Sequence, residues 1–341
     1  MYVDSHQHFW KLARGDYSWM TPDMKKLYKD FFPSDLEPLI KEKNISKTII
    51  VQAADTVAET EFTLKLAEDN EFVAGVVGWV DLESPKTKET IDHIKKWIIS
   101  YNKTSKTEGF IIGISGGIDS AVTSTILAQT KLPLLCLEMP IHQNIKQVSR
   151  GKKHIKWLEK KYENVSSAEI DLTDIFESFK KISNAETKDA NLALANTRSR
   201  LRMTTLYYHA QINNYLVAGT GNKVEDFGIG FYTKYGDGGV DISPIADLLK
   251  SEVFIIGKEL EIINEILIAP PTDGLWDNNQ TDEEQIGATY DDLEWAMKNI
   301  NKQELSQKEE KIMNIFKKFN LANKHKMIPI PVCKIPKKLR S

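Results

Sequence analysis

The apolar run Phe110-Ile111-Ile112-Gly113-Ile114 passes directly into Ser115-Gly116-Gly117-Ile118-Asp119-Ser120, and that junction restricts the fold more than any other part of the chain. It predicts a strand, a tight turn and a helix whose apolar stripe begins with Ala121, Val122, Ile126 and Leu127. Paired glycines let backbone N–H groups come close to an anion, two serines add hydroxyls, and the helix aims its positive end at the same point. The junction reads as a phosphate cradle. It lacks the lysine of the Gly-x-x-x-x-Gly-Lys-Ser/Thr loop and instead has a carboxylate, Asp119, where a hard cation can bridge to phosphate oxygens.

Strands and helices alternate around this junction: strands at 110–114, 132–137 and 215–219, and helices from Ser120 and over 145–162. Such alternation predicts an α/β fold, a parallel sheet with helices on both faces and ligands at the strand C-terminal ends. The chain changes character at Leu82-Glu83-Ser84-Pro85-Lys86, between an apolar strand at 72–80 and a helix at 90–101. We therefore read residues 1–83 as one unit, 84–89 as a linker and 90–341 as a second unit. With 41% hydrophobic and 27% charged residues the chain is globular, and its net charge of −3 argues against nucleic-acid binding. No apolar run approaches the roughly 18 residues of a membrane helix, and Met1 to Trp10 carries Asp4, His6 and His8, so a cytoplasmic protein without a membrane partner is expected. The two cysteines, Cys136 in an apolar strand and Cys333 in a Pro-rich tail, point to neither a disulfide framework nor a zinc cluster.

The loop 115–120 is similar to the pyrophosphatase loop of the ATP-pyrophosphatase superfamily, and from about residue 88 to 341 the chain resembles the ammonia-dependent NAD synthetases of that superfamily. The resemblance is carried by several motifs in order: Asn196-Thr197-Arg198-Ser199-Arg200-Leu201-Arg202-Met203, Gly219-Thr220-Gly221-Asn222-Lys223-Val224-Glu225, Thr233-Lys234-Tyr235-Gly236-Asp237-Gly238-Gly239-Val240-Asp241, Lys250, Pro271-Thr272 and His325-Lys326. It implies an adenine nucleotide alpha hydrolase-like fold. It also implies ATP contacts at Gly113, Ile114, Ser115, Gly116, Gly117, Ile118, Asp119, Ser120, Thr220, Lys250 and Thr272, and deamido-NAD contacts at Asn196, Arg200, Lys234, Asp241, His325 and Lys326. Asp119 and Glu225 would hold magnesium, Asp237 would lie at the reacting centre with Lys250, and the enzyme would be a homodimer. The residue types suit these roles: guanidinium forks match phosphate and carboxylate, and paired carboxylates match a hard dication. Residues 233–241 read as a mobile loop.

The implied reaction is ATP-dependent amidation of deamido-NAD with ammonia, giving NAD, AMP and pyrophosphate through an acyl-adenylate. Two other readings stand beside it: a different adenylating enzyme of the superfamily, and a metal-dependent lactone hydrolase dominated by the N-terminal part. The latter arises because Tyr2-Val3-Asp4-Ser5-His6-Gln7-His8-Phe9-Trp10, Lys47-Thr48-Ile49-Ile50-Val51-Gln52-Ala53 and the strand at 72–80 resemble the opening of an amidohydrolase-type lactonase with a (β/α)-barrel fold. His6 and His8 alternate onto one strand face, as metal ligands do in that family. A barrel takes about 200 residues at least, so a truncated fragment fused to the synthetase-like part, with an incomplete metal site, is expected. One departure from the synthetase pattern is at Leu137-Glu138-Met139-Pro140-Ile141-His142-Gln143, where many members carry an arginine that helps hold adenine.

Overall fold

The computed structural model describes residues 2–17, 19–54, 56–78, 85–143, 145–183, 190–272 and 281–340, and it divides into two compact units, Met1–Ser84 and Pro85–Ser341. In the first, β1 (Tyr2–Gln7), α1 (Pro33–Glu42), β2 (Ile45–Val51), α2 (Val57–Glu68) and β3 (Val73–Val77) build a parallel sheet in the order β1-β2-β3. The strand expected at 72–80 ends at Val77, and 79–84, including the expected boundary residues Leu82 to Ser84, lie outside the described residues. Trp10, Tyr17, Met20 and Ala54 form a small core of this unit's own. The Thr56 hydroxyl caps α2 and sets the buried Glu59 carboxylate where the Tyr17 hydroxyl and the Ala53 N–H donate to it. The His6 and His8 Nε2 atoms are 3.1 Å apart, and His8 Nδ1 is 2.8 Å from the Val51 carbonyl. Among the described residues no three His, Cys, Asp or Glu side chains gather as a metal site, and no helix is long and apolar enough to cross a membrane.

The second unit runs α3 (Pro85–Ser105), β4 (Gly109–Gly113), α4 (Ile118–Gln129), β5 (Leu134–Glu138), α5 (Ile145–Lys161), β6 (Val165–Glu169), α6 (Thr173–Ser183), α7 (Ala190–Asn213) and β7 (Tyr215–Val217). A π-helical turn, Lys223–Ile229, precedes α8 (Lys250–Glu259), α9 (Asn264–Leu267), α10 (Asp282–Ile286), α11 (Tyr290–Lys298) and α12 (Gln307–Met327). Residues 85–89, expected in a linker, belong to α3. Proline is favoured in a first helical turn because the N–H it lacks has no partner there, so a residue read as a break opens the helix.

Four parallel strands lie in the order β6-β5-β4-β7. The two-residue period of β4 sends Phe110 and Ile112 into a core with α3, α4, α5 and α8, and Ile111 into one with α6 and α7 on the other face. α4 is buried for most of its length, and each large apolar side chain it removes from water contributes roughly 1.5–3 kcal/mol. A third cluster joins Val224 and Ile229 of the π-helical turn to Leu293 of α11 and Phe316 of α12. The segment after β7 is thereby fixed from outside while its inner side faces the ends of β4 and β7.

Candidate active site

The cleft opens at the C-terminal ends of these strands. Its phosphate loop is tied up internally: Ser115 Oγ is 3.0 Å from Ser120 Oγ, the Gly117 N–H donates to Ser115 Oγ and Ser120 Oγ donates to the Gly117 carbonyl. No side chain caps the N-terminus of α4, which leaves its first N–H groups and positive end suited to an anion. Gly113, Ile114, Ser115, Gly117, Ile118, Asp119, Ser120, Thr220, Thr272, Glu225, Asp237 and Lys250, all expected at the site, line this one cleft. Gly116 does not. It has φ +79, and a Cβ there would stand 2.5 Å from the Gln147 carbonyl, so it allows α5 to close on the loop.

Three segments meet at one charged point. Lys250, the first residue of α8 and 2% exposed, donates to Asp119 Oδ2 at 2.6 Å and to Glu225 Oε1 at 2.8 Å. A cation is disfavoured at a helix N-terminus, and burial also opposes its charge. The two carboxylates outweigh both, and hold the ammonium above the usual lysine range. Burial pushes Asp119 up, whereas Lys250 and the Tyr290 hydroxyl hold Glu225 down against the same burial. Asn222 Oδ1 accepts from the Val224 and Glu225 N–H groups and its Nδ2 donates to Asp119 Oδ1 at 3.0 Å, so one side chain orders both acids. The Tyr290 hydroxyl lies 2.5 Å from Glu225 Oε1 and 3.2 Å from Asp282 Oδ2. Thr281 and Thr289, each in a capping box, start α10 and α11 so that Asp282 and Tyr290 are their first residues.

Residues 233–241 form a pinned turn. Asp237 Oδ1 accepts from Ser199 Oγ at 2.6 Å and from the Thr233 N–H, and the Asp237 N–H donates back to Ser199 Oγ. Beside it lies most of the expected deamido-NAD set, outside the cleft lining: Arg200 donates to the Lys234 carbonyl, Lys234 Nζ to the His325 carbonyl, Thr233 Oγ1 to Asn196 Oδ1, and Lys326 Nζ to the Gly230 and Tyr232 carbonyls. Asp241 stands apart, its carboxylate accepting from the Tyr207 hydroxyl and the Val217 N–H at the end of β7.

Glu138 does not line the cleft; its carboxylate is buried, pushed up by that burial, 3.8 Å from Lys152. Met139 and Gln143 line it instead, together with Arg202, whose guanidinium donates to the Met139 carbonyl and to Gln143 Oε1. Sequence reasoning gave no site role to Asn222, Asp226, Asp282 or Tyr290. Asn222 had a local signal, an N-cap residue before a helical turn. Asp226 presses on Gly221, where a Cβ would stand 1.9 Å from its Oδ2, and burial followed by the neighbouring Glu225, Asp237 and Asp119 raises it well above the carboxylate range.

A family model described as NAD synthase matches residues 90–328. The chain is 40% identical over 210 residues to the NH(3)-dependent NAD(+) synthetase of Mesoplasma florum, covering 61% of this chain and 83% of that one. Among solved structures it is similar to an NMN synthetase from Francisella tularensis (31% identity, TM-score 0.65, 74% of this chain and 98% of that one). It is also similar to an NH3-dependent NAD synthetase from Campylobacter jejuni (25% identity, TM-score 0.58, 75% and 100%).

Proposed function

The chain belongs to the NAD synthase family, and on that premise we propose that it amidates deamido-NAD with ammonia, converting ATP to AMP and pyrophosphate through an acyl-adenylate. A nicotinate carboxylate repels nucleophiles and has no good leaving group. Its oxygen attacks the α-phosphorus of ATP and pyrophosphate departs; ammonia then attacks the acyl carbon, the C–O bond breaks with its electrons going to AMP, and nitrogen gives up a proton. The observation that carries this reading is the meeting of Asp119, Glu225 and Lys250 at the mouth of the phosphate loop.

The loop N–H groups and the start of α4 receive the phosphates, with the Ser115, Ser120, Thr220 and Thr272 hydroxyls beside them. Asp119 and Glu225 fit magnesium: they are hard oxygen donors in a phosphate cleft, two in number, leaving the rest of the shell to phosphate and water. That ion, when bound, would draw charge from the departing pyrophosphate. Lys250 neutralises phosphate charge, and Asp237, held by Ser199 and Thr233, takes the proton from nitrogen. Asn196, Arg200, Lys234, Asp241, His325 and Lys326 serve deamido-NAD. We assign a homodimer, supported by exposed Ile175, Phe179 and Ile182 on α6 and Tyr208 and Ile212 on α7, apolar side chains that a symmetric partner would cover. The reading puts the enzyme in the cytoplasm with its nucleotide substrates.

We read the first unit as the opening fragment of an amidohydrolase-type (β/α)-barrel, an assignment supported by its all-parallel β1-α1-β2-α2-β3 order. With three strands among its described residues, against about eight in a barrel, it is given no lactonase role. Incubation with deamido-NAD, ATP, magnesium and ammonium, in parallel with nicotinate mononucleotide because of the likeness to the F. tularensis protein, tests the function. NAD and AMP formed together support it, and loss of both in Asp119→Asn ties them to this cleft.

A further inference from the structure

Resting on the reading of Asp119 and Glu225 as the magnesium carboxylates, we infer that the Lys250 ammonium is the resident cation of that pair, so that a dication enters only with ATP, whose phosphates draw Lys250 away. Asp119 Oδ2 and Glu225 Oε1, one oxygen from each of these carboxylates, both accept from Lys250 Nζ, at 2.6 and 2.8 Å. A metal ion between them would stand where the ammonium stands. Two carboxylates and one ammonium leave a single negative charge at the point, and a dication brought to it alone would face a buried positive charge with 3% of its side chain exposed.

The remaining contacts separate what stays from what leaves. Asp119 Oδ1 is held by Asn222 Nδ2 at 3.0 Å, and Glu225 is held by the Tyr290 hydroxyl at 2.5 Å, so neutral partners on other segments keep both carboxylates in place without Lys250. Lys250 starts α8, where the helix field opposes its charge, so its position depends on the two acids. A triphosphate supplies what the exchange needs: anionic oxygens to receive the ammonium and hard oxygens to fill the metal shell. Metal and nucleotide binding are then linked through one lysine, and each raises the affinity of the other.

Manganese is the probe, its uptake by the nucleotide-free full-length protein followed by loss of the free-ion electron paramagnetic resonance signal. The wild type is expected to bind Mn2+ weakly alone and tightly with a non-hydrolysable ATP analogue, the latter read by equilibrium dialysis with the analogue on both sides so that its own chelation of Mn2+ cancels. Lys250→Met should bind Mn2+ without nucleotide at least about tenfold more tightly than the wild type, because the two carboxylates lose the cation that balances their charge while Asn222 and the Tyr290 hydroxyl still hold them. Adding Asp119→Asn should remove that gain. If Lys250→Met is poorly folded alone, its melting temperature should rise with Mn2+ more than that of the wild type. Equal nucleotide-free affinity and equal melting shifts in wild type and Lys250→Met overturn the inference and leave the metal assignment standing. Unchanged Mn2+ uptake by Asp119→Asn and Glu225→Gln in the presence of the analogue overturns both.

Discussion

Glu225 shares its Oε1 between a lysine and a tyrosine, and a change there that preserves shape separates charge from packing. Glu225→Gln should lower turnover by about a hundredfold, roughly 3 kcal/mol of transition-state stabilisation, with an unchanged circular dichroism spectrum. Near-normal turnover would remove Glu225 from the phosphate chemistry. His154 gives a prediction away from the cleft. It is buried, its Nε2 is 2.9 Å from Ser124 Oγ, and burial holds it down at about 4 against an ordinary value of 6.5. Between those two values the unfolded chain takes up a proton that the folded one refuses, so stability falls as pH drops through that window, by about 3 kcal/mol in all, and is unaffected by this group above it. His154→Gln should remove that part of the slope, as read from urea midpoints near neutrality and near pH ~4.5; equal slopes would contradict it. Asp119 and Glu225 were legible from their motifs and expected as a pair, and Lys250 only from the family resemblance; that Lys250 bridges the two acids was not legible, because the contact joins α4, the π-helical turn and α8. Tyr290 had no signal at all: its partner Glu225 is 65 residues away, and only the closed fold relates them.

β4, α4, α5 and β7 were readable because their apolar residues follow the strand and helix periods, and the phosphate loop because glycine and serine lie between two such runs. β6 was missed for the opposite reason. It is an edge strand, Val-Ser-Ser-Ala-Glu, half solvated and without an apolar period. Residues 233–241 have loop composition, yet the turn is fixed by Ser199, a partner 38 residues from Asp237 that composition cannot reveal. At the loop itself, Gly116 is set by its neighbour α5. Gly116→Ala combines a strained φ with a Cβ close to the Gln147 carbonyl and the Gly151 nitrogen, so α5 must retreat. We expect a loss of about 1–3 kcal/mol in urea unfolding and weaker ATP binding by calorimetry. A variant as stable as the wild type would show that α5 does not rest on the loop.

The two units have separate cores, so the whole molecule should tolerate loss of the first. Deletion of Met1–Ser84 is expected to preserve dimerisation and turnover per site; an inactive monomer in size-exclusion chromatography would make the first unit integral to the enzyme. The nitrogen source is also a property of the whole chain. Glutamine use needs a thiolate nucleophile, and Cys136 lies buried in β5 with its thiol pushed up to about 12. Cys333 is exposed after α12 and does not line the cleft, so free ammonia is the expected nitrogen source. The most direct measurement is a time course of the pure protein with deamido-NAD, ATP and magnesium, supplied with either ammonium or ammonium-free glutamine, following NAD and AMP together. Equal amounts of NAD and AMP with ammonium, little of either with glutamine, and neither in Asp119→Asn is the predicted result. NAD formation that is robust with glutamine, that proceeds without AMP, or that survives Asp119→Asn would contradict the assignment of this cleft as an ammonia-dependent adenylating site.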